Sequence, residues 1–126
     1  MRLAHVALWT EDLEGMARFW RLYFKAEVGE AYHSRRQPGF VSRFATLPGG
    51  EQVELMSMPW LARLDTAKRV GWDHVAVAVG SEAAVDAMVA RLRRDRFEVS
   101  PPRWTGDGFY EAVVRAPGGV PIEITA

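Results

Sequence analysis

Residues 2–9, Arg-Leu-Ala-His-Val-Ala-Leu-Trp, are mostly apolar and rich in strand formers, with the polar His5 among them, which predicts a β-strand. Thr10, Glu11 and Asp12 then make a helix start of the capping type. Leu13, Met16, Ala17, Trp20 and Phe24 follow at spacings of three and four, giving a helix with one apolar face up to about Lys25. Residues 27–32 suit a short strand and 35–39 a loop. Residues 40–47 and 51–57 suit two strands joined as a hairpin by Pro48-Gly49-Gly50. The order is β-α-β-β-β.

The same pattern then starts again. Residues 72–79 predict a strand, Ser81 a helix N-cap, and Val85, Met88, Val89 and Leu92 the buried stripe of a second helix. Arginines between 91 and 96 gather at its end, which suits the negative pole of the helix dipole. The repetition extends to individual residues. His5-Val6-Ala7 recurs as His74-Val75-Ala76, Pro48-Gly49-Gly50 with Glu54 recurs as Pro117-Gly118-Gly119 with Glu123, and Gly39-Phe40 recurs as Gly108-Phe109, each 69 residues on. Glu27-Val28 matches Glu98-Val99 at an offset of 71, so the second helix or its exit is two residues longer and the loop 100–107 gives them back. The chain is therefore a duplicated half. One α+β domain spans residues 1–126, with a first module at about 1–58, a linker at about 59–70 and a second module at about 71–126.

Side chains alternate across a strand, so His5 shares a face with Leu3, Ala7 and Trp9, and His74 with Trp72, Ala76 and Ala78. Val75, Val77 and Val79 form an apolar face that must meet the helix, which turns both histidines to the other side. Glu54 between Val53 and Leu55, and Glu123 between Ile122 and Ile124, obey the same rule. If each Pro-Gly-Gly is a three-residue hairpin, Phe44 lies opposite Glu54 and Val113 opposite Glu123. Glu111 and Arg115 then share the carboxylate side, and Tyr110, Ala112, Val114 and Ala116 meet the helix. A slip of one residue would reverse every one of these assignments.

Taken singly, a histidine or glutamate in a strand is more often hydrogen-bonded or solvated than a ligand. Two imidazoles and two carboxylates on one buried face, however, are costly without a cation to satisfy them. His5, Glu54, His74 and Glu123 are accordingly the expected metal ligands. His33 lacks a repeat partner and reads as a surface loop residue. Trp9, Phe44, Trp104, Phe109, Glu111 and Arg115 are the candidates for a substrate pocket, although aromatic residues at such positions also serve as plain core.

Composition narrows the function further. The 16 basic and 16 acidic residues cancel, which gives no general reason to expect binding to nucleic acid or an anionic membrane. No cysteine is present, so disulfides, thiolate metal sites and cysteine nucleophiles are excluded. The absence of a long apolar run at the start argues against a signal peptide or a membrane span, and the expected location is the cytoplasm.

The motifs Leu-Ala-His-Val-Ala-Leu, Pro-Gly-Gly-Glu-Gln-Val-Glu-Leu, Trp-Asp-His-Val-Ala-Val and Ala-Pro-Gly-Gly-Val-Pro-Ile-Glu-Ile together resemble the vicinal-oxygen-chelate superfamily. That superfamily includes glyoxalase I, fosfomycin-resistance enzymes, extradiol dioxygenases, methylmalonyl-CoA epimerase and bleomycin-resistance proteins. The resemblance implies two tandem β-α-β-β-β modules forming an open eight-stranded barrel around a metal, assembled as a homodimer. The order His5, Glu54, His74, Glu123 is similar to bacterial glyoxalase I. The fosfomycin enzymes and dioxygenases typically use three protein ligands, and bleomycin-binding members generally lack them. Glyoxalase I enzymes usually carry an Arg soon after the first His and an Asn after the first Glu to hold glutathione. This chain has Trp9 and Met56-Ser57-Met58-Pro59-Trp60 at those places.

What the resemblance implies is a metal-dependent lyase or isomerase acting on a substrate with vicinal oxygens, such as a 2-oxoaldehyde thiol adduct. Two imidazoles and two carboxylates suit Ni²⁺, Co²⁺, Mn²⁺, Fe²⁺ or Zn²⁺. Glu123 is the first choice of proton-transferring base and Glu54 the second. The rival readings are an epoxide-opening enzyme of the fosfomycin-resistance type, for which only Arg115 and Arg43 could meet a phosphonate, and a small-molecule binding protein with a vestigial metal site.

Overall fold

The fold is taken from a computed structural model, which describes residues 1–62, 67 and 70–126. The chain divides into two compact units, Met1–Arg63 and Leu64–Ala126, each built on one sheet and one helix. This is a mixed α+β architecture.

The first unit runs β1 (Val6–Trp9), α1 (Leu13–Phe24), β2 (Glu27–Val28), β3 (Tyr32–His33), β4 (Val41–Thr46) and β5 (Gln52–Ser57). Its sheet has the order β1-β5-β4-β2, with β3 also paired to β4. β1 runs parallel to β5, a pairing that requires a crossover, and α1 supplies it. The helix begins where the sequence asks it to. Asp12 is the N-cap, and its carboxylate accepts from the Gly15 amide at 2.8 Å. A Cβ at residue 15 would meet that carboxylate at 1.9 Å, so the Asp12 side chain lies over space that a larger residue there would make it leave. α1 lays Met16, Ala17, Trp20 and Phe24 against Ala45, Val53 and Leu55, all buried. Phe19 and Tyr23 are buried as well, so the apolar face is wider than the expected stripe.

The second unit runs β6 (Val75–Ala78), α2 (Glu82–Arg94), β7 (Arg103–Trp104), β8 (Tyr110–Arg115) and β9 (Pro121–Thr125), in the sheet order β6-β9-β8-β7. β6 is parallel to β9, as β1 is to β5. Ser81 is the N-cap of α2, as expected, and accepts from the Ala84 amide. Val85, Val89 and Leu92 pack on β8 and β9, where Ala112, Val114, Ile122 and Ile124 are buried. Met88 stays half-buried.

Departures from the expected order fall at the short elements. The single strand expected over 27–32 is two strands, β2 and β3, each paired with a different part of β4. Gly29 still follows the register of β2, its amide donating to the Phe44 carbonyl at 3.0 Å, and the pairing then shifts by one residue before Tyr32; the Gly29 carbonyl accepts from Arg43 Nε at 2.9 Å. His33, expected in a loop, is an exposed residue of β3 opposite Val41. The strand expected over 72–79 begins only at Val75. Residues 63–66, 68 and 69 of the expected linker lie outside the described residues. Among the described residues, no helix is long and apolar enough to cross a membrane.

Candidate functional site

Everything at the two histidine–glutamate pairs depends on hairpin register. Leu47 donates to Glu51 O at 2.9 Å and Ala116 to Val120 O at 2.9 Å, so each Pro-Gly-Gly is a three-residue loop. Gly50 and Gly119 take φ of +96° and +80°, a left-handed backbone that side-chain-bearing residues rarely adopt. With both loops closed this way, Phe44 is opposite Glu54 and Val113 opposite Glu123. The alternation then carries Val53, Leu55, Ile122 and Ile124 into the cores under the helices and leaves both carboxylates on the open faces of their sheets.

Each histidine sits one residue before its strand and is brought to its own unit's glutamate by the parallel pairing, in which Ala7 faces Glu54 and Ala76 faces Glu123. His5 Nε2 lies 3.7 Å from Glu54 Oε2, and His74 Nε2 lies 3.1 Å from Glu123 Oε2. Within each unit the described residues gather one imidazole and one carboxylate in this way, and no group of three or more metal-ligating side chains.

The two pairs have different surroundings. In the first unit the face is aromatic. Phe44 meets the His5 ring edge-on with centroids 5.3 Å apart, and the half-exposed Trp9 meets Phe40 at 5.9 Å. In the second unit it is charged. Glu111 is buried beside Glu123, and Arg103 Nη2 approaches Glu111 Oε1 at 3.4 Å. Burial pushes the Glu123 carboxyl above its ordinary value; His74 opposes this, while Glu111, through its charge and a hydrogen bond, and Asp107 push it further up. His74 also places Nδ1 3.0 Å from Asp73 Oδ2.

A raised carboxyl pKa in the folded state means that the metal-free native protein binds more protons than the unfolded chain just above the ordinary value of 4.5. Stability of the metal-free protein should therefore fall as pH rises through that window, and Glu123→Gln should flatten the fall. Urea unfolding at intervals from about pH 4 to about pH 7 measures both slopes. Parallel slopes in the two proteins would contradict this account of Glu123.

Of the residues expected to line a pocket, Phe44 and Trp9 share the His5 side, and Glu111 and Arg115 share the Glu123 side. Val113 and Arg115 border a cleft of about 200 Å³ with Glu98, Val99 and Ser100. Phe109, half-exposed, precedes β8. Trp104 is placed differently: it pairs with Tyr110 and packs on its ring at 5.5 Å, and the Tyr110 hydroxyl donates to Asp86 of α2 at 2.8 Å. That is the helix side of the sheet. Arg103 and Asp73 fall outside the expected set. Pairing parity with Glu111 is the signal that points to Arg103, and adjacency to His74 the one that points to Asp73. A larger cleft of about 510 Å³ opens at the start of α1, beside Glu11, Leu13 and Met58. Two of its acidic groups are already committed, Asp12 to the cap and Glu14 to Arg43 at 2.8 Å.

The chain is 27% identical over 129 residues to YqjT, an uncharacterised protein of Bacillus subtilis, covering 97% of this chain and 96% of that one. Its fold is similar to the crystal structure of a glyoxylase/bleomycin resistance protein/dioxygenase domain from Frankia sp. EAN1pec, with a TM-score of 0.84 at 19% identity over 99% of this chain and 96% of that one. It is also similar to a genomically encoded fosfomycin resistance protein from Listeria monocytogenes complexed with Mn(II) and sulfate ion, with a TM-score of 0.72 at 18% identity over 99% and 91% of the two chains. Residues 2–124 match one family throughout, and the chain belongs to it: the Glyoxalase/Bleomycin resistance protein/Dioxygenase superfamily.

Proposed function

We propose that this protein is a metal-dependent lyase or isomerase of the glyoxalase type, acting on a small substrate whose vicinal oxygens chelate a divalent cation held by His5, Glu54, His74 and Glu123. The observation that carries this reading is the repeated pair: each unit sets a histidine nitrogen against a glutamate oxygen at the same register, on the sheet face turned away from its helix. The donor set fits the group. Two imidazoles and two carboxylates suit Ni²⁺, Co²⁺, Mn²⁺, Fe²⁺ or Zn²⁺, and the Glu123 carboxylate, disfavoured first by burial and then by Glu111 and Asp107, is a place where added positive charge is favourable. When bound, the cation polarises a carbonyl and stabilises negative charge that develops on a substrate oxygen.

The chain's own residues do the rest. Glu123 and Glu54 are the groups placed to move a proton at the substrate carbon, Glu123 first and Glu54 second. Phe44 and Trp9 offer an apolar wall beside the His5–Glu54 pair, while Glu111 and Arg115 present polar groups beside Glu123. A homodimer working in the cytoplasm is part of the same reading, and sedimentation at assay concentrations tests the dimer.

A fosfomycin-type epoxide opening is the second reading, favoured by the likeness to the Mn(II)-bound Listeria protein. It needs cations free for a phosphonate, and Arg43 is held by Glu14 and the Gly29 carbonyl. Arg115 is what remains of the expected cations for that task. In the third reading, a binding protein with a vestigial metal site, ligand affinity is independent of metal. Metal analysis of the purified protein, then turnover of methylglyoxal adducts of several thiols against fosfomycin inactivation, separates the three. Adduct turnover that chelation abolishes and metal restores supports the leading reading. Fosfomycin inactivation, or ligand binding unaffected by chelation, overturns it.

A further inference from the structure

The duplicated halves are not equivalent around their histidines. In the second unit Asp73 Oδ2 lies 3.0 Å from His74 Nδ1, while the other ring nitrogen, Nε2, faces Glu123 at 3.1 Å. The position that corresponds to Asp73 in the first unit, 69 residues earlier, is Ala4, which has no side-chain acceptor. His5 is instead supported by the edge of the Phe44 ring. A neutral imidazole carries one proton, and which nitrogen holds it is set by the partner of the other.

We propose that Asp73 is a positioning residue: it holds the proton of His74 on Nδ1 and so keeps the Nε2 lone pair turned toward the Glu123 side. This rests on the metal reading above and deepens it. A ligand histidine whose remote N–H is bound to a carboxylate is fixed in tautomer and ring orientation and made a better donor, and losing such a partner typically weakens metal binding tenfold to a hundredfold. The second unit is then the preorganised half of the donor set. The first unit, with Ala4 at that place, has no carboxylate on the remote nitrogen and holds its ring by the contact with Phe44.

Asp73 is more than half exposed, so its replacement leaves the core untouched. The experiment compares wild type, Asp73→Ala, Asp73→Asn and Ala4→Asp by two readouts. The first is the ¹⁵N and ¹³C NMR of the His74 ring in metal-free protein carrying Glu123→Gln, so that no second carboxylate competes for the ring proton at 3.1 Å, at a pH well above the ordinary imidazole range. With Asp73 present this protein should show the Nδ1–H tautomer, and adding Asp73→Ala should lose it. The second is competition for Zn²⁺ or Mn²⁺ against a chelator. Asp73→Ala should bind roughly tenfold to a hundredfold more weakly. Asp73→Asn, which keeps an acceptor oxygen without the charge, should lie between, and Ala4→Asp should bind more tightly than wild type. Unchanged tautomer and unchanged affinity in Asp73→Ala would overturn the role of Asp73. Failure of every protein to take up metal overturns the metal reading instead, while the tautomer measurement still decides whether Asp73 orients the ring.

Discussion

His5→Ala and Glu123→Gln should each weaken divalent-cation binding by at least roughly tenfold, and the double variant should hold no cation through dialysis. On the proposed assignment each substitution removes one of four donors, one from each unit, and neither side chain belongs to the apolar core. His5 is more than a third exposed beside β1, and Gln keeps the volume of Glu123 while surrendering its charge. The two single variants differ in a way that guards against a trivial result. His5→Ala removes a nitrogen donor and the ring contact with Phe44, whereas Glu123→Gln also removes a charge disfavoured first by burial and then by Glu111 and Asp107, which outweighs the His74 attraction lost with it. Glu123→Gln should thus lose the cation while gaining metal-free stability above the ordinary carboxyl range, an opposition that simple misfolding cannot produce. Cation content after exhaustive dialysis and calorimetric titration are the measurements. Wild-type stoichiometry in both single variants would sink the ligand assignment.

Much of this arrangement is legible in the sequence because it rests on periodicities of two kinds. The 69-residue repeat alone maps His5 onto His74 and Glu54 onto Glu123, and strand alternation says which side they occupy. The register of the second hairpin can be read because only the three-residue alternative turns the apolar set Ala112, Val114 and Ala116 toward the helix, and these residues are indeed buried. Two-residue strands leave no such trace. β2, β3 and β7 have no period to read and exist through their pairing with β4 and β8, so neither the one-residue shift between Gly29 and Tyr32 nor the turn of Trp104 toward α2 is written in the local pattern. Phe19 and Tyr23 stand three residues after Met16 and Trp20, so the same spacings reach them, and the buried arc of α1 includes them beside the expected stripe. Asp73 escapes for a different reason: strand parity places its neighbour His74 on a face and says nothing of contacts between consecutive side chains at a strand's entry.

Trp20→Ala should cost roughly 3–5 kcal/mol, as loss of a fully buried large side chain does when its surroundings relax only in part. Trp20 is the largest fully buried side chain among the described residues, and it packs against Phe24 with ring centroids 4.9 Å apart. Small domains are stable by about 5–15 kcal/mol, so this single change consumes much of the margin. A second substitution isolates the indole's polar atom. Trp20 Nε1 is buried with no hydrogen-bond partner among the described residues, and an unsatisfied buried donor costs about 1–3 kcal/mol. Trp20→Phe removes that donor together with part of the apolar surface, and the two effects oppose each other, so it should cost about 1 kcal/mol or less. Urea midpoints for the three proteins give the order wild type, Phe, Ala, with a small first step and a large second one. The order bears on function because α1 packs on β4 and β5, the strands whose register aims Glu54. Trp20→Phe should then keep wild-type cation affinity, and Trp20→Ala should lose affinity only where urea unfolding shows that it loses structure. Steps of equal size would mean that the indole nitrogen has found a partner and that the core under α1 is packed in another way.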